Sequence, residues 1–146
     1  CGAPRARRSG RARYPRRVHL NQITLPSTDV ARGATFYRAL GLRQIVENLP
    51  KYARFECPGG TTLSLHLGEP PAGPTGVVVY FECEDLDARV AALKQRGIEF
   101  DADPVDQPWR WREAHLRDPD GNVICLFWAG DNRLNPPWRL REQPAD

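Results

Sequence analysis

Two stretches of the chain carry apolar residues at the spacing of a helix face. Apolar positions recur every three or four residues between Val30 and Leu40, and again between Leu86 and Leu93. Because one turn of an α-helix takes about 3.6 residues, this spacing brings the apolar side chains onto one side of a helix. The pattern therefore predicts two amphipathic helices, each of which buries one face.

The two predicted helices belong to an internal repeat. Asp29 aligns with Asp85, and Gly41 aligns with Gly97, in both cases 56 positions apart. In each copy an acidic residue stands at the helix start, where it opposes the positive end of the helix dipole, and a glycine stands where the helix should end. The chain therefore contains two copies of one structural unit.

Shorter runs around the helices alternate between apolar and polar residues, as strands do. One run precedes each helix, at residues 20–25 and 77–83. Cys57–Gly60 and Asp118–Gly121 place proline and glycine at positions favoured in a type I turn, so each motif predicts a hairpin. The predicted hairpins join residues 52–57 to 62–67 and residues 112–117 to 123–127.

Aligning the hairpins increases the repeat distance, because Ser64 aligns with Cys125, 61 positions away. The second copy therefore has extra residues around 103–109, which we predict to form a loop over the mouth of a cavity. Each copy has the order βαβββ. The predicted fold class is α+β, with two tandem βαβββ modules that form a curved, cavity-enclosing mixed sheet with the helices outside.

The length of 146 residues suits one domain, which we place at residues 18–130 with modules at 18–68 and 76–128. Residues 1–17 contain seven arginines and no acid, and we predict a disordered leader there, with a polyanion-binding arm as the alternative. Residues 131–146 are predicted to form a C-terminal arm in which Trp138 docks on the domain.

Charge and cysteine usage limit the partners of the domain. Outside the leader, 14 basic residues stand against 18 acidic ones, a balance of −4 that argues against a nucleic-acid-binding surface. The sequence has no apolar run long enough to span a membrane, so no membrane partner is expected. The four cysteines form no C-x-x-C pair, which fits a reducing, cytoplasmic location.

Alternation along the strands divides their side chains between two faces. One face is apolar and is predicted to lie under the helices: Ile23, Leu25, Ala53, Phe55, Leu63, Leu65, Val77, Val79, Phe81, Ala114, Leu116, Ile124 and Leu126. The other mixes aromatic and polar residues and is predicted to line the cavity: Gln22, Thr24, Tyr52, Arg54, Ser64, His66, Val78, Tyr80, Glu113, His115, Cys125 and Phe127. Such a mixture suits a pocket for a small molecule.

Two motifs within these predicted elements resemble those of a known family. The Asp-Val, Phe-Tyr and Leu-Gly-Leu residues within Asp29–Leu42, and the run Asp118–Val123, are similar to those of the vicinal oxygen chelate superfamily, with glyoxalase I, bleomycin resistance proteins and extradiol dioxygenases. The resemblance covers residues 19–128. It implies the fold, a small-molecule ligand and a homodimer, but no single reaction, because this superfamily contains isomerases, lyases, dioxygenases and non-catalytic binding proteins.

The resemblance also implies where metal ligands would stand, namely at Gln22, Ser64, Val78 and Cys125. Valine cannot ligate a metal and a neutral serine does so poorly, so we predict that the usual four-ligand site is absent. A divalent metal at a displaced site is the alternative, with Gln22, His66, His115 and Cys125 as its candidate ligands and Glu113 available beside them. Otherwise the two histidines are hydrogen-bonding groups of the pocket wall.

The candidate site residues follow from the cavity face. Glu113 and His115 are the candidate catalytic pair, since a carboxylate and an imidazole can exchange a proton with a substrate. The candidate ligand-binding residues are Gln22, Tyr52, Arg54, His66, Tyr80, Trp109, Trp111 and Cys125. Trp109 and Trp111 either stack on a flat ligand or plug the module junction, and Cys125 is either an apolar filler or a nucleophile activated by His115.

Two functions are consistent with these candidate residues. The first is a small-molecule-binding protein of the glyoxalase and bleomycin resistance type, which holds an aromatic or cationic ligand and lacks the usual metal site. The second is a metal-dependent lyase, isomerase or dioxygenase that acts on a small oxygenated substrate. The sequence names neither the ligand nor the cofactor.

Overall fold

A computed structural model of the protein describes residues 18–73 and 75–140, so the predicted leader and the last six residues of the C-terminal arm lie outside it. Within these residues the two α-helices are α1, Val30–Leu40, and α2, Leu86–Gln95, and a short 3-10 helix follows at Gly130–Arg133. The eight strands are β1 Gln22–Ser27, β2 Arg43–Asn48, β3 Tyr52–Glu56, β4 Thr62–Leu67, β5 Val78–Glu82, β6 Val105–Asp106, β7 Arg112–Arg117 and β8 Val123–Trp128.

The strands form two sheets of four, one from each module. Their orders are β1-β4-β3-β2 and β5-β8-β7-β6, and the first pair in each order is parallel while the pairs that follow it are antiparallel. The identical topology confirms the prediction of an α+β fold with two tandem βαβββ modules. The sheets do not join into a closed barrel.

Helix α1 begins and ends at the predicted acid and glycine, while α2 starts after Asp85 without a side-chain cap and ends at Gln95, two residues before Gly97. Asp29 caps α1 and accepts a hydrogen bond from the backbone NH of Arg32 at 3.1 Å. Gly41 ends the helix with φ 113°, and its backbone NH donates to the carbonyl of Arg38 at 3.1 Å. Since a side chain is strained at this left-handed φ, glycine is the residue that suits the position.

Both predicted hairpins are present, but the extra segment of the second module differs from the prediction. Gly60 and Gly121 each close a turn by donating to the carbonyl three residues earlier. Within the predicted loop 103–109, Val105 and Asp106 form β6 by pairing with β7. The extra residues therefore extend the second sheet by a short edge strand, because β7 offers an unpaired edge there.

The helix-facing sides of both sheets make one continuous core. Its buried members are Leu25, Val30, Ala34, Tyr37, Leu40, Ala53, Phe55, Leu63, Leu65, Val79, Leu86, Val90, Leu93, Ala114, Leu116, Ile124 and Leu126. Two apolar predictions were wrong. Val77 is 57% exposed because it precedes β5, and Trp138 is 58% exposed, so it is not docked.

A buried hydrogen bond links the two modules. The hydroxyl of Tyr37 on α1 donates to Oδ2 of Asp118 in the β7–β8 turn at 2.7 Å. Asp118 also accepts from the backbone NH groups of Asp120 and Asn122 and from the Asn122 side chain, at 2.8 to 2.9 Å. Burial and the adjacent Asp118 raise the pKa of Tyr37, so it remains a neutral donor.

Neither helix of the described residues is both long and apolar enough to cross a membrane.

Candidate functional site

Each sheet has a second face that points away from the helices, and we call it the open face of that module. The internal repeat relates the two open faces residue by residue. Thr24 corresponds to Tyr80, and the three hairpin positions correspond as Tyr52 to Glu113, Arg54 to His115 and Ser64 to Cys125. The same scaffold therefore presents hydroxyls and a guanidinium in one module, and an acid, an imidazole and a thiol in the other.

The open face of the first module carries a hydrogen-bonded polar group. The hydroxyls of Thr24 and Ser64 lie 2.7 Å apart, and Nε of Arg54 donates to the hydroxyl of Tyr52 at 2.9 Å. Burial opposes ionisation of Tyr52, but hydrogen bonds from Ser64 and Arg54 outweigh it, so the pKa of the phenol lies below its usual value. Among the ion pairs of the described residues, none involves Arg54, which leaves this guanidinium available to an anionic group of a ligand.

Gln22 and His66 stand at the margins of this polar group. Gln22 is exposed, and its side-chain oxygen accepts from the Thr62 hydroxyl at 2.9 Å. His66 is also exposed, with Nδ1 2.9 Å from the carbonyl oxygen of Leu67 and its ring edge-on to Tyr52. Both side chains are therefore accessible to a ligand.

The open face of the second module carries three aromatic rings in mutual contact, Tyr80, Trp111 and Phe127, which we call the aromatic cluster. The rings of Trp111 and Phe127 stack with their centroids 4.6 Å apart and an interplanar angle of 16°. Tyr80 lies edge-on to both, at 5.8 Å and 5.6 Å, and is 46% exposed. Trp111 thus packs on its own sheet, in a small hydrophobic cluster with Cys125.

Beside the aromatic cluster, Glu113, His115 and Cys125 converge, and we call them the Glu–His–Cys cluster. Their ligand atoms all lie within 4.8 Å of one another. Glu113 is buried, and one of its oxygens, Oε1, accepts a 2.7 Å hydrogen bond from the indole NH of Trp109. The other, Oε2, lies 3.9 Å from Nε2 of His115.

Cys125 is fully buried and pairs directly with His115 in the β7–β8 register. Burial, followed by the negative charge of Glu113, raises the pKa of the Cys125 thiol to about 12. A neutral thiol is a poor nucleophile, so the raised pKa argues against the prediction of Cys125 as a nucleophile activated by His115.

The predicted site residues thus fall into two groups. Tyr80, Trp109, Trp111, Glu113, His115 and Cys125 lie together on the second module, while Gln22, Tyr52, Arg54 and His66 lie on the first. His66 is not among the side chains whose ligand atoms converge with those of Glu113 and His115, and the sharing of one pocket by the three residues stays a prediction. Alternation predicts that Phe127 lies on the open face, as it does, but its stacking on Trp111 depends on the register of the strands.

Two clefts lie where β1 of the first module faces β5 of the second. The larger, about 380 Å³, is bordered by the loop that connects the modules and by the β7–β8 turn. The smaller, about 190 Å³, is lined by Gln22 and Tyr80 together with apolar side chains such as Leu20 and Phe81. A ligand in the smaller cleft would therefore touch both modules and the exposed ring of the aromatic cluster.

Comparison with known proteins identifies the family of this chain. The sequence model of the Glyoxalase/Bleomycin resistance protein/Dioxygenase superfamily matches residues 19–126. The chain belongs to this superfamily. Its members share the fold described above, and the resemblance seen in the helix and turn motifs is confirmed.

Individual members of the superfamily show how far the similarity extends. The uncharacterized protein YraH of Bacillus subtilis is 32% identical in an alignment 126 residues long, which covers 75% of this chain and 98% of YraH. A glyoxalase/bleomycin resistance protein/dioxygenase from Nocardioides is 28% identical, with a TM-score of 0.69 over 85% of this chain and 90% of the other. A lactoylglutathione lyase from Agrobacterium tumefaciens is 16% identical, with a TM-score of 0.65 over 86% and 99% of the two chains, and shows the fold alone.

Members of this superfamily often bind a divalent metal, but the residues at the usual ligand positions do not suit one. Val78 offers no donor atom, and the buried Ser64 hydroxyl is engaged with Thr24. Gln22 is engaged with Thr62, so Cys125 is the one common metal ligand among the four positions. A metal needs several donors at once, so the usual four-ligand position lacks a ligand set.

Proposed function

We propose that this protein binds a flat aromatic small molecule against the aromatic cluster, without the usual four-ligand metal site of its superfamily. The observation that supports this most directly is the exposure of Tyr80, which is 46% despite its contacts with both stacked rings. The stacked pair behind Tyr80 fixes its position, so the surface is preformed. Each aromatic contact with a ligand is worth about 0.5–1.5 kcal/mol beyond the area it buries.

Charge favours a cationic ligand over an anionic one at this surface. Glu113 is buried close to the aromatic cluster, and burial, together with the nearby carboxylate, raises the pKa of Tyr80, so this ring is neutral. A positive charge beside an aromatic face is also stabilised by the ring quadrupole. Gln22, Tyr52, Arg54 and His66 would supply polar contacts to the parts of the ligand that extend over the first module.

Fluorescence titration with two probes of similar size, an acridinium cation and a naphthoate anion, tests this proposal. We expect the cation to quench tryptophan fluorescence saturably, and Tyr80→Ala to weaken its binding by about three- to tenfold, the equivalent of one lost aromatic contact. Trp138→Ala, which removes an exposed tryptophan from the C-terminal arm, is the matched control. Equal binding by the parent and Tyr80→Ala would contradict the proposal.

A second candidate function, a lyase, isomerase or dioxygenase that acts on a small oxygenated substrate, is favoured by the Glu113–His115 pair. The two side chains lie 3.9 Å apart, and Glu113 is buried and oriented by Trp109. Such a pair can move a proton at a bound ligand. Mass spectrometry of the ligand after incubation separates the candidates, since a binding protein returns it unchanged, whereas an enzyme yields a product that is lost in Glu113→Gln.

We also propose a homodimer in the cytoplasm. The strands β2 and β6, which end their sheets on the side away from β1 and β5, carry Ile45 and Val105. These side chains are 48% and 50% exposed, and unpaired edges with apolar side chains favour association. The thiols of Cys57, Cys83 and Cys125 are all free, which fits a reducing compartment. Sedimentation at high micromolar concentration is expected to show twice the chain mass, and a species of 16.5 kDa alone would contradict the dimer.

A further inference from the structure

The Glu–His–Cys cluster combines three side chains that zinc prefers, a carboxylate, an imidazole and a thiol. Strand geometry brings them together. Glu113 and His115 alternate on β7 and therefore share a face, and His115 is paired with Cys125 on β8. Because two hydrogen-bonded strands hold all three, their relative positions do not depend on a loop.

The distances fit a zinc ion with little adjustment. Zinc–ligand bonds of about 2.0–2.3 Å place tetrahedral ligand atoms roughly 3.3–3.8 Å apart. Oε2 of Glu113 and Nε2 of His115 are already 3.9 Å apart, and the ligand atoms of the cluster are all within 4.8 Å of one another. Changes in the side-chain torsions that move the ligand atoms by about an ångström are enough to close the remaining gap.

The surroundings of Glu113 also favour a cation. Its carboxylate is buried, and among the described residues it lies 3.9 Å from the His115 ring and forms no ion pair with a lysine or arginine. A buried carboxylate is costly unless a positive charge compensates it. The indole of Trp109 holds Oε1, which leaves Oε2 directed to His115, and such an outer hydrogen bond is typical of metal ligands.

We propose that Glu113, His115 and Cys125 bind one Zn²⁺, at a site displaced from the usual superfamily position into the second module alone. The soft thiolate selects zinc over magnesium and calcium, since a coordinating thiol loses its proton to the metal. The side chain of His115 is 36% exposed, so solvent reaches the cluster from that side. Three protein ligands leave the fourth position open to water or to a donor atom of a bound ligand.

The open position lies next to the aromatic cluster. Tyr80 is paired with Cys125 in the β5–β8 register, so its strand borders the cluster on the side opposite β7. A molecule stacked on Tyr80 therefore has the zinc within reach of an oxygen or nitrogen donor. The zinc site does not depend on the proposed aromatic ligand, because it is formed by protein side chains alone.

Cobalt substitution of the full, untagged chain tests the proposal. After treatment with a chelator, titration with Co²⁺ is expected to saturate at one ion per chain. The bound cobalt should give a thiolate-to-cobalt charge-transfer band in the near ultraviolet, and Zn²⁺ is expected to displace the cobalt. Cys125→Ser should abolish the band, and Glu113→Gln and His115→Gln should each weaken binding at least tenfold. There are two matched controls, Gln22→Ala at the usual ligand position and Cys83→Ser at another free thiol. Both should leave the charge-transfer band and the strength of Co²⁺ binding unchanged.

Three results of this experiment would contradict the proposed zinc site. Absence of the band in the parent chain, its persistence in Cys125→Ser, or its loss in Gln22→Ala would each overturn the proposal. Since Cys125 is buried and its replacement can disturb folding, Glu113→Gln, which keeps the side-chain shape, serves as the second variant, with circular dichroism as the check. Probe binding by the chelated protein is measured separately, so failure of the zinc site leaves the proposed aromatic binding intact.

Discussion

Replacement of Asp118 with alanine is expected to lower the free energy of unfolding by about 3–5 kcal/mol, because at least two donors lose their buried acceptor at about 1–3 kcal/mol each. Those donors are the Tyr37 hydroxyl and the backbone NH groups of the β7–β8 turn. Tyr37→Phe removes one donor only, and Asp118 keeps its bonds within the turn, so we expect a smaller loss of about 1–2 kcal/mol.

Urea unfolding followed by circular dichroism measures both variants. Asp103→Ala is the matched control, since that aspartate has an 84% exposed side chain and pairs only with Lys94 at the surface. Its expected effect is within about 0.5 kcal/mol. If Asp118→Ala cost no more than Asp103→Ala, the link between α1 and the second module would contribute nothing to stability.

Gly33→Ala is expected to destabilise the protein by about 1–3 kcal/mol, although alanine is the better helix former. A Cβ at Gly33 would lie 2.7 Å from Cδ1 of Leu65, which is fully buried on β4. The close approach of α1 to the first sheet therefore leaves no room for a methyl group unless Leu65 moves.

A double-mutant cycle distinguishes this steric cause from others. Leu65→Ala alone should cost about 2–5 kcal/mol because it leaves a cavity. In that background the contact is gone, so Gly33→Ala should become neutral or stabilising by up to about 1 kcal/mol. Equal effects of Gly33→Ala in the two backgrounds, measured by urea unfolding, would exclude the contact with Leu65 as the cause.

Local signals in the sequence predicted most of the fold. The helix starts at Asp29 and Asp85 and the hairpin turns depend on residues close together in the chain, and each was found where predicted. The strand β6 was missed because Val105 and Asp106 become a strand only by pairing with β7. A strand of two residues is too short to show a periodicity, so its pairing with β7, six to eight residues further along the chain, decides its structure.

Alternation along the strands also places Glu113, His115 and Cys125 on one face, and they are predicted as alternative ligands of one metal, but alternation alone does not give the distances between them. Their proximity depends on the register that sets His115 opposite Cys125, and on the indole of Trp109 folding back onto Glu113. The expectation that His66 lies close to Glu113 and His115 rests only on the strand face on which each side chain is placed. His66 belongs to the other sheet, and face gives no information about which strands are neighbours.

The correspondence between the two open faces has an evolutionary consequence. In each module the residues that pack under the helix alternate with residues that do not, so the two sets can change almost independently of each other. A duplicated module can therefore retain its folding determinants while the intervening positions acquire a new chemistry. The equivalent positions carry Tyr52, Arg54 and Ser64 in one copy and Glu113, His115 and Cys125 in the other, as expected if the open face changed while the fold was kept.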